Sequence, residues 1–367
     1  MPKIRILHIG KSYAPSCGGI ETHVRDLAVR QAHLATVSVL ASNHTRRTET
    51  SEIDGVRVTR LANFGTIASM PICPSLTFEL RHSPADIVHI HLPNPASALA
   101  FVTSGHPGRL VITHHADTMG RKALRLLSDP FVHRLMKMAS RIIVTSDRYL
   151  WSSQELRPYR DKCSVIPLGI NIDDPYPYDA GNIFQLRRKR EERLVLAIGR
   201  LVPYKGFDIL IRAMKRVHAR LALIGSGPQA EPLMDLARRE GVRDKIVMLG
   251  WIDDLRSFLH QASIFVMPSV TRAEAFGLVQ LEAMAAGLPI INTDLDSGVP
   301  EVSVNGITGF TVPPGDVDTL SNAISLLLDR KDLREQFGAA AIDRAADFSA
   351  DTMSDRTTAL YEQVLAA

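Results

Sequence analysis

The chain has 367 residues, 43 Lys and Arg against 39 Asp and Glu, and a formal net charge of +4; this length suits two domains, each with its own core. No run reaches the roughly 18 continuous apolar residues of a membrane span, and the opening residues 1–10 read as strand and loop, not as a secretion signal. Three scattered cysteines, Cys17, Cys73 and Cys163, form neither a zinc pattern nor a disulfide framework, which fits a reducing cytoplasm, and a pI near 9.0 allows an anionic partner, although no aromatic-basic pattern points to nucleic acid.

In the first half, strands are predicted at 4–9, 36–40, 56–61, 87–91, 110–113 and 141–145, with a helix at 19–31. The second half repeats the alternation, with strands at 194–198, 221–224, 246–249, 264–267, 289–292 and 309–312 and helices at 207–217, 228–240 and 317–328. Near-continuous apolar strands between helices argue for parallel sheets covered on both faces. Two such series argue for two doubly wound α/β domains. The turn-rich Asp-Asp-Pro-Tyr-Pro-Tyr-Asp-Ala-Gly and the charged run after it set the expected division: domain one 1–172, hinge 173–192, domain two 193–349, and a last helix at 350–367.

The chemistry-bearing segments follow strand ends. After the first strand, Gly18 and Gly19 let backbone approach a ligand and open a helix; alone this is not the G-x-G-x-x-G of dinucleotide enzymes. His89 and His91 share one strand and read as packing or supporting residues. Thr113-His114-His115-Ala116-Asp117 ends another. Adjacent side chains there point to opposite faces, so one of the two histidines faces the site, and no third metal ligand is spaced to join them.

Residues 121–148 hold seven basic side chains (Arg121, Lys122, Arg125, Arg134, Lys137, Arg141 and Arg148) against two acidic ones, interleaved with Leu124, Leu126, Leu127, Phe131, Val132, Leu135 and Met136. Either the stretch 121–139 lies on an anionic membrane surface, or it is a core helix with a solvated basic side. In the second half, Arg200 and Lys205 flank a turn before a helix. Two exposed cations there suit a diphosphate and would stabilise it as a leaving group.

The most informative stretch is 267–287. Glu274 lies just before an apolar helix, where free backbone N–H groups favour an anionic ligand. Glu282 follows within the helix, whose neighbours Leu278, Val279, Leu281, Ala283 and Met284 make it read as buried nearly all round. A buried carboxylate needs donors, and a ribose diol supplies two. The plainer alternative is an early-helix charge at 274 and an Arg-paired carboxylate at 282. Asp294 and Asp296, after the next strand, are weak Mg²⁺ ligand candidates.

Pro268-Ser269, then Glu274-Ala275-Phe276-Gly277, then Glu282-Ala283-Met284-Ala285-Ala286-Gly287-Leu288-Pro289-Ile290 resembles the signature of the retaining glycosyltransferases of family 4. Gly199-Arg200-Leu201 with Lys205-Gly206, and Gly18-Gly19-Ile20-Glu21, resemble further motifs of that family. Departures are small: Gln31-Ala32-His33 stands where Gly-His is common, and Asn171 where Asp is common.

The resemblance implies the GT-B fold, two Rossmann-like domains facing across a cleft, the first for the acceptor and the second for a nucleoside diphosphate sugar, with the last helix, 350–367, crossing back to the first. By the same resemblance the catalytic set is His115, Arg200, Lys205 and Glu274. Donor contacts fall to Gly18, Gly19, Gly225, Phe276, Gly277, Leu278 and Glu282. No metal and no cofactor is expected. The 271–282 run looks most like bacterial mannosyl- and rhamnosyltransferases of surface polysaccharide synthesis, implying GDP-mannose as donor and a lipid-linked saccharide acceptor at the inner membrane. A UDP-sugar donor, or an epimerase of the same architecture, is the alternative.

Overall fold

In a computed structural model, residues 3–15, 18–67, 70–117, 122–172 and 193–367 are described, with backbone alone for 122–127. The expected hinge 173–192, Cys17 and Arg121 lie outside them. The chain divides into two compact units, Met1–Asn171 with Ala350–Ala367, and Ile172–Ser349.

Unit 1 carries an eight-stranded sheet in the order β10-β9-β8-β7-β1-β2-β4-β3. Its strands are β1 (Arg5–Ile9), β2 (Thr36–Ser42), β3 (Glu49–Ile53), β4 (Val56–Leu61), β7 (Ile87–Leu92), β8 (Arg109–His114), β9 (Arg141–Val144) and β10 (Cys163–Val165); β5 (Thr66–Ile67) and β6 (Met70–Pro71) form a separate small ribbon. The central strands are apolar because both faces are covered. Leu7, Val88, Ile90 and Ile112 enter one core, and Ile6, Ile87, Val111 and Ile143 the other. Within the eight-stranded sheet, only β3 runs antiparallel, against β4. A pattern reading for parallel strands passes over it because its residues are mostly exposed. The signal is the intervening Asp54-Gly55, both at positive φ, the two-residue turn that joins hairpin strands.

Local signals set the helix ends. Asn94 accepts from Ser97 N–H at 3.3 Å, Pro95 occupies the first turn, and Gly105, left-handed, ends Pro95–Ser104. In Gly19–Ala32 the buried residues His23, Leu27 and Gln31 fall four apart, on one face. The last helix, Ala350–Ala366, packs Met353, Leu360, Tyr361 and Val364 into the second core of unit 1.

Unit 2 carries an all-parallel six-stranded sheet in the order β13-β12-β11-β14-β15-β16, formed by β11 (Leu194–Ile198), β12 (Arg220–Ile224), β13 (Ile246–Gly250), β14 (Ile264–Val266), β15 (Ile290–Thr293) and β16 (Gly309–Val312). The strand order reverses between β11 and β14. Ligands of such sheets bind beyond the carboxyl ends of the strands at that reversal.

Candidate active site

Two loops leave the reversal point of unit 2, one after β11 and one after β14. The first ends in a short 3-10 turn, Pro203–Lys205, then Gly206 in the left-handed region at φ 66° before helix Phe207–Ala213. A Cβ on Gly206 would stand 2.0 Å from the Pro268 carbonyl oxygen of the second loop. Only glycine allows that approach, and its result is chemical. Lys205 Nζ meets Glu274 Oε2 at 2.5 Å, and Ser269 Oγ donates to the same oxygen at 3.0 Å.

The pair is nearly dry: Lys205 is 9% exposed and Glu274 7%. This corrects the expectation that Lys205 is an exposed cation. Arg200, at the start of the same loop, is exposed. The Lys-Glu contact places a positive and a negative group where a phosphate and a hydroxyl, respectively, find complementary partners.

Gly277, left-handed at φ 78°, caps the N-terminus of helix Leu278–Ala285. Phe276 beside it is buried edge-on against Phe348. That helix is not buried all round. Gln280, Leu281, Ala283 and Met284 are buried, whereas Leu278, Val279 and Glu282 are partly exposed. Glu282 therefore has access to water on a helix one face of which serves the core. Gly225 is buried after β12, its N–H donating to Gly250 O at 2.7 Å. Asp294 and Asp296 are exposed.

Beneath the loop lies a polar network that the motif reading missed. Gln280 Nε2 donates to Phe276 O at 2.8 Å, and Asn292 Nδ2 donates to Val299 O at 3.0 Å and to Gln280 Oε1 at 3.3 Å. Thr293 Oγ1 donates to Ser269 O at 2.6 Å. These bonds tie the start of the helix and the Ser269 turn to β15. The available signal was a polar residue inside an apolar run: Gln280 within Leu-Val-Gln-Leu and Asn292 within Ile-Ile-Asn-Thr.

In unit 1, Gly18 precedes the helix Gly19–Ala32, its carbonyl accepting from Thr22 N–H at 2.9 Å; Gly19 is exposed. His115, following β8, is 4% exposed and belongs to a buried cluster with His8, His23, His89 and His91. His8 Nδ1 lies 3.2 Å from His91 Nε2, and His91 Nδ1 lies 3.2 Å from His115 Nε2. His89 sits between Tyr361 OH at 2.5 Å and Thr113 Oγ1 at 2.7 Å. His114 turns elsewhere, to Tyr149 OH at 2.8 Å and Glu155 at 3.3 Å.

Burial keeps the five clustered imidazoles neutral at pH 7. It pulls His8 down to about 4 and His23 to about 3, and holds His89, His91 and His115 well below the ordinary value. Among the described residues, three His or His-carboxylate groups bring ligand atoms within 4.8 Å of one another. In them, the nitrogens of His8, His89, His91 and His114 already take part in the contacts above.

On the basic helix Lys122–Met138, Phe131, Val132, Leu135 and Met136 pack into the first core of unit 1, while Arg134 and Lys137 are exposed. The apolar positions of this half therefore serve the fold. Arg121 and the side chains of Lys122, Leu124, Arg125, Leu126 and Leu127 lie outside the described residues.

Residues 17–174 match the family described as Glycosyltransferase Family 4, and residues 180–344 match that described as Glycosyl transferases group 1. The chain belongs to glycosyltransferase family 4. This glycosyltransferase is 27% identical to the O-antigen chain mannosyltransferase C of Escherichia coli over 99% of both chains. It is 29% identical to the D-rhamnosyltransferase WbpZ of Pseudomonas aeruginosa, over 92% of this chain and 90% of that one. It is 28% identical to the phosphatidyl-myo-inositol mannosyltransferase of Mycobacterium leprae, over 95% and 93%.

Among solved structures, a sucrose-phosphate synthase from Thermosynechococcus elongatus superposes with a TM-score of 0.83 at 23% identity, covering 99% of this chain and 100% of that one. Anabaena HepE in complex with UDP and glucose superposes with 0.80 at 20%, covering 98% and 99%. The fold of the glycosyltransferase is thus GT-B. No helix among the described residues is long and apolar enough to cross a membrane.

Proposed function

We propose that this glycosyltransferase moves a mannose or rhamnose-like hexose from a nucleoside diphosphate sugar, GDP-mannose foremost, to a lipid-linked saccharide in surface polysaccharide synthesis. The observation that carries the reading is the dry Lys205–Glu274 pair at the strand reversal of unit 2. The names of the mannosyl- and rhamnosyltransferase relatives favour the sugar. Lys205 and Arg200 neutralise the departing diphosphate, and Glu274 accepts from sugar hydroxyls, with Phe276, Gly277 and Leu278 supplying backbone N–H groups at the helix start. Glu282 takes the ribose diol, Gly225 borders the base, Gly18 and Gly19 line the phosphates, and His115 meets a sugar hydroxyl.

Transfer proceeds with retention. The acceptor oxygen bonds the anomeric carbon on the face from which the phosphate oxygen leaves, and the acceptor proton passes to that phosphate. Lysine, arginine and helix N-termini do the electrostatic work, so no metal is required. Unit 1 holds the acceptor. The exposed Arg134 and Lys137 bring the enzyme to anionic lipid, each contributing about 1 kcal/mol near the surface.

Calorimetry against GDP-, UDP- and ADP-sugars tests the donor: tightest binding of GDP-mannose supports the reading, and preference for a UDP-sugar replaces it. Turnover of donor to an epimer without acceptor would instead make the protein an epimerase. The anomeric configuration of the product, read by NMR in the presence of EDTA, tests retention and metal independence together. Co-sedimentation with phosphatidylserine vesicles that fades with salt supports docking; none at low salt removes it.

A further inference from the structure

Three ring nitrogens in the unit 1 cluster have no hydrogen-bond partner although their residues are almost wholly buried: Nδ1 of His115 and both nitrogens of His23. His23 stands edge-on to His91 and His115, with ring centroids 5.4 and 4.9 Å apart. The orphaned atoms therefore belong to adjoining rings. A buried polar atom without a partner is costly, and three together mark a place where a ligand's polar groups complete the pairing.

The rest of the cluster decides what kind of group that is. At the far end of the row, Gln31 Oε1 lies 2.8 Å from His8 Nε2. The amide oxygen is thus the end of Gln31 that faces His8, and the Gln31 amide nitrogen makes no hydrogen bond. A carbonyl accepts only, and His8 Nε2 therefore carries the proton. His8 is neutral and has one proton to place, so its Nδ1 is bare and accepts from His91 Nε2–H across 3.2 Å. His91 Nδ1 is then bare and accepts from His115 Nε2–H, again across 3.2 Å. The last ring in the row is left with a bare Nδ1.

We propose that Gln31, His8 and His91 are positioning residues that lock His115 in the Nε2–H tautomer, so that its bare Nδ1 is a fixed acceptor for a hydroxyl of the saccharide substrate. The inference rests on the assignment of His115 to the sugar made above. It also gives the row a direction. Such a row rejects groups that can only accept a hydrogen bond, such as phosphate oxygens, and selects hydroxyl donors.

Neither three-histidine grouping serves as well for a metal, because both include His91, which already gives both its nitrogens to the row. Nor does the row need ionised rings, which burial opposes. Unlike a charge relay, it moves no proton. It fixes a lone pair in place before substrate arrives, which spares the reorganisation of a freely tautomerising ring.

The test uses full-length enzyme labelled with ¹⁵N-histidine, His115 being assigned by the signal lost in His115→Asn. Ring ¹H–¹⁵N correlations should show the His115 proton on Nε2. Gln31→Met keeps the shape of the side chain but removes the acceptor. It should give mixed tautomers at His115 and a kcat about tenfold lower, the scale of one net hydrogen bond, with donor affinity unchanged by calorimetry. Gln31→Glu, which restores an accepting oxygen, should recover the single tautomer and most of kcat.

A wild-type His115 protonated on Nδ1 would overturn the proposal, as would Gln31→Met with an unchanged tautomer. A tetrahedral cobalt absorption on adding Co²⁺, abolished by His23→Leu, would replace the row with a metal site and overturn it as well. Wild-type turnover by His115→Ala, with the Nε2–H signal present in the parent, would leave the wiring intact and remove the contact between His115 and sugar.

Discussion

Lys205 meets Glu274 where little water reaches it, and that separates it from Arg200, with which it shares a motif. Removing the ammonium leaves Glu274 buried without its counter-ion. Lys205→Ala should therefore lose about 3–5 kcal/mol of stability, the scale for breaking a buried pair, as well as roughly 10²-fold in turnover. Arg200→Ala should lose comparable turnover but stay within about 0.5 kcal/mol of the parent, as exposed positions do. Urea unfolding alongside steady-state kinetics checks both, and equal stability of the two variants would contradict the burial argument. Glu282 is the third case. Glu282→Gln should weaken donor binding by about 1.5–3 kcal/mol if a ribose diol is its partner; a lower melting temperature with unchanged donor affinity would reduce it to a structural ion-pair residue.

Elements bring these residues together through backbone that only certain side chains permit. The β11 and β14 loops touch at Gly206, and a methyl group there has no room against Pro268 O. Gly206→Ala should cost about 1–2 kcal/mol for the left-handed conformation alone, and more for the clash. It should also draw Lys205 away from Glu274 and weaken donor binding, although neither charged group is changed. Calorimetric affinity and a thermal melt on one sample would show it; an unchanged affinity would mean the loops can shift without disturbing the pair. The same scale explains one misreading. Helix Leu278–Ala285 reads as buried all round because its apolar residues fill most positions, yet only one side meets the core. At 131–136, where the sequence leaves a membrane face or a core helix open, the apolar side chains pack into the core of unit 1.

For the molecule as a whole, the buried histidines make stability depend on pH. An unfolded histidine takes up its proton near pH 6.5, whereas His8 in the folded state resists until about 4 and His23 until about 3. Below pH 6.5 the unfolded chain thus binds more protons than the folded one, and stability falls with acidification. The contribution of His8 is complete above pH 6.5 and is lost between there and about pH 4, at up to about 1.4 kcal/mol per pH unit for each such ring. Melting temperature should be level from pH 8 to 7 and drop steadily toward pH 5. His23→Leu should make the drop shallower by close to one proton; an identical slope would mean that His23 is solvated in the folded state.

Much of this protein was written locally. Alternating apolar runs and helical stretches imply two parallel sheets, because a strand covered on both faces must be apolar throughout and a helix of this period must return between strands. The 268–290 run and Gly199–Gly206 carry the family because that chemistry needs fixed residue types at fixed short spacings. What lay far apart along the chain was decided only by the fold. The union of Lys205 with Glu274 depends on two strands becoming neighbours. The histidine row joins β1, β7, the end of β8 and the Gly19–Ala32 helix across residues 8 to 115. Burial, which sets the protonation of those rings, exists only once the chain has packed; the sequence singles out His115 by its strand-end motif, but nothing local says that His8, His23 and His91 meet it.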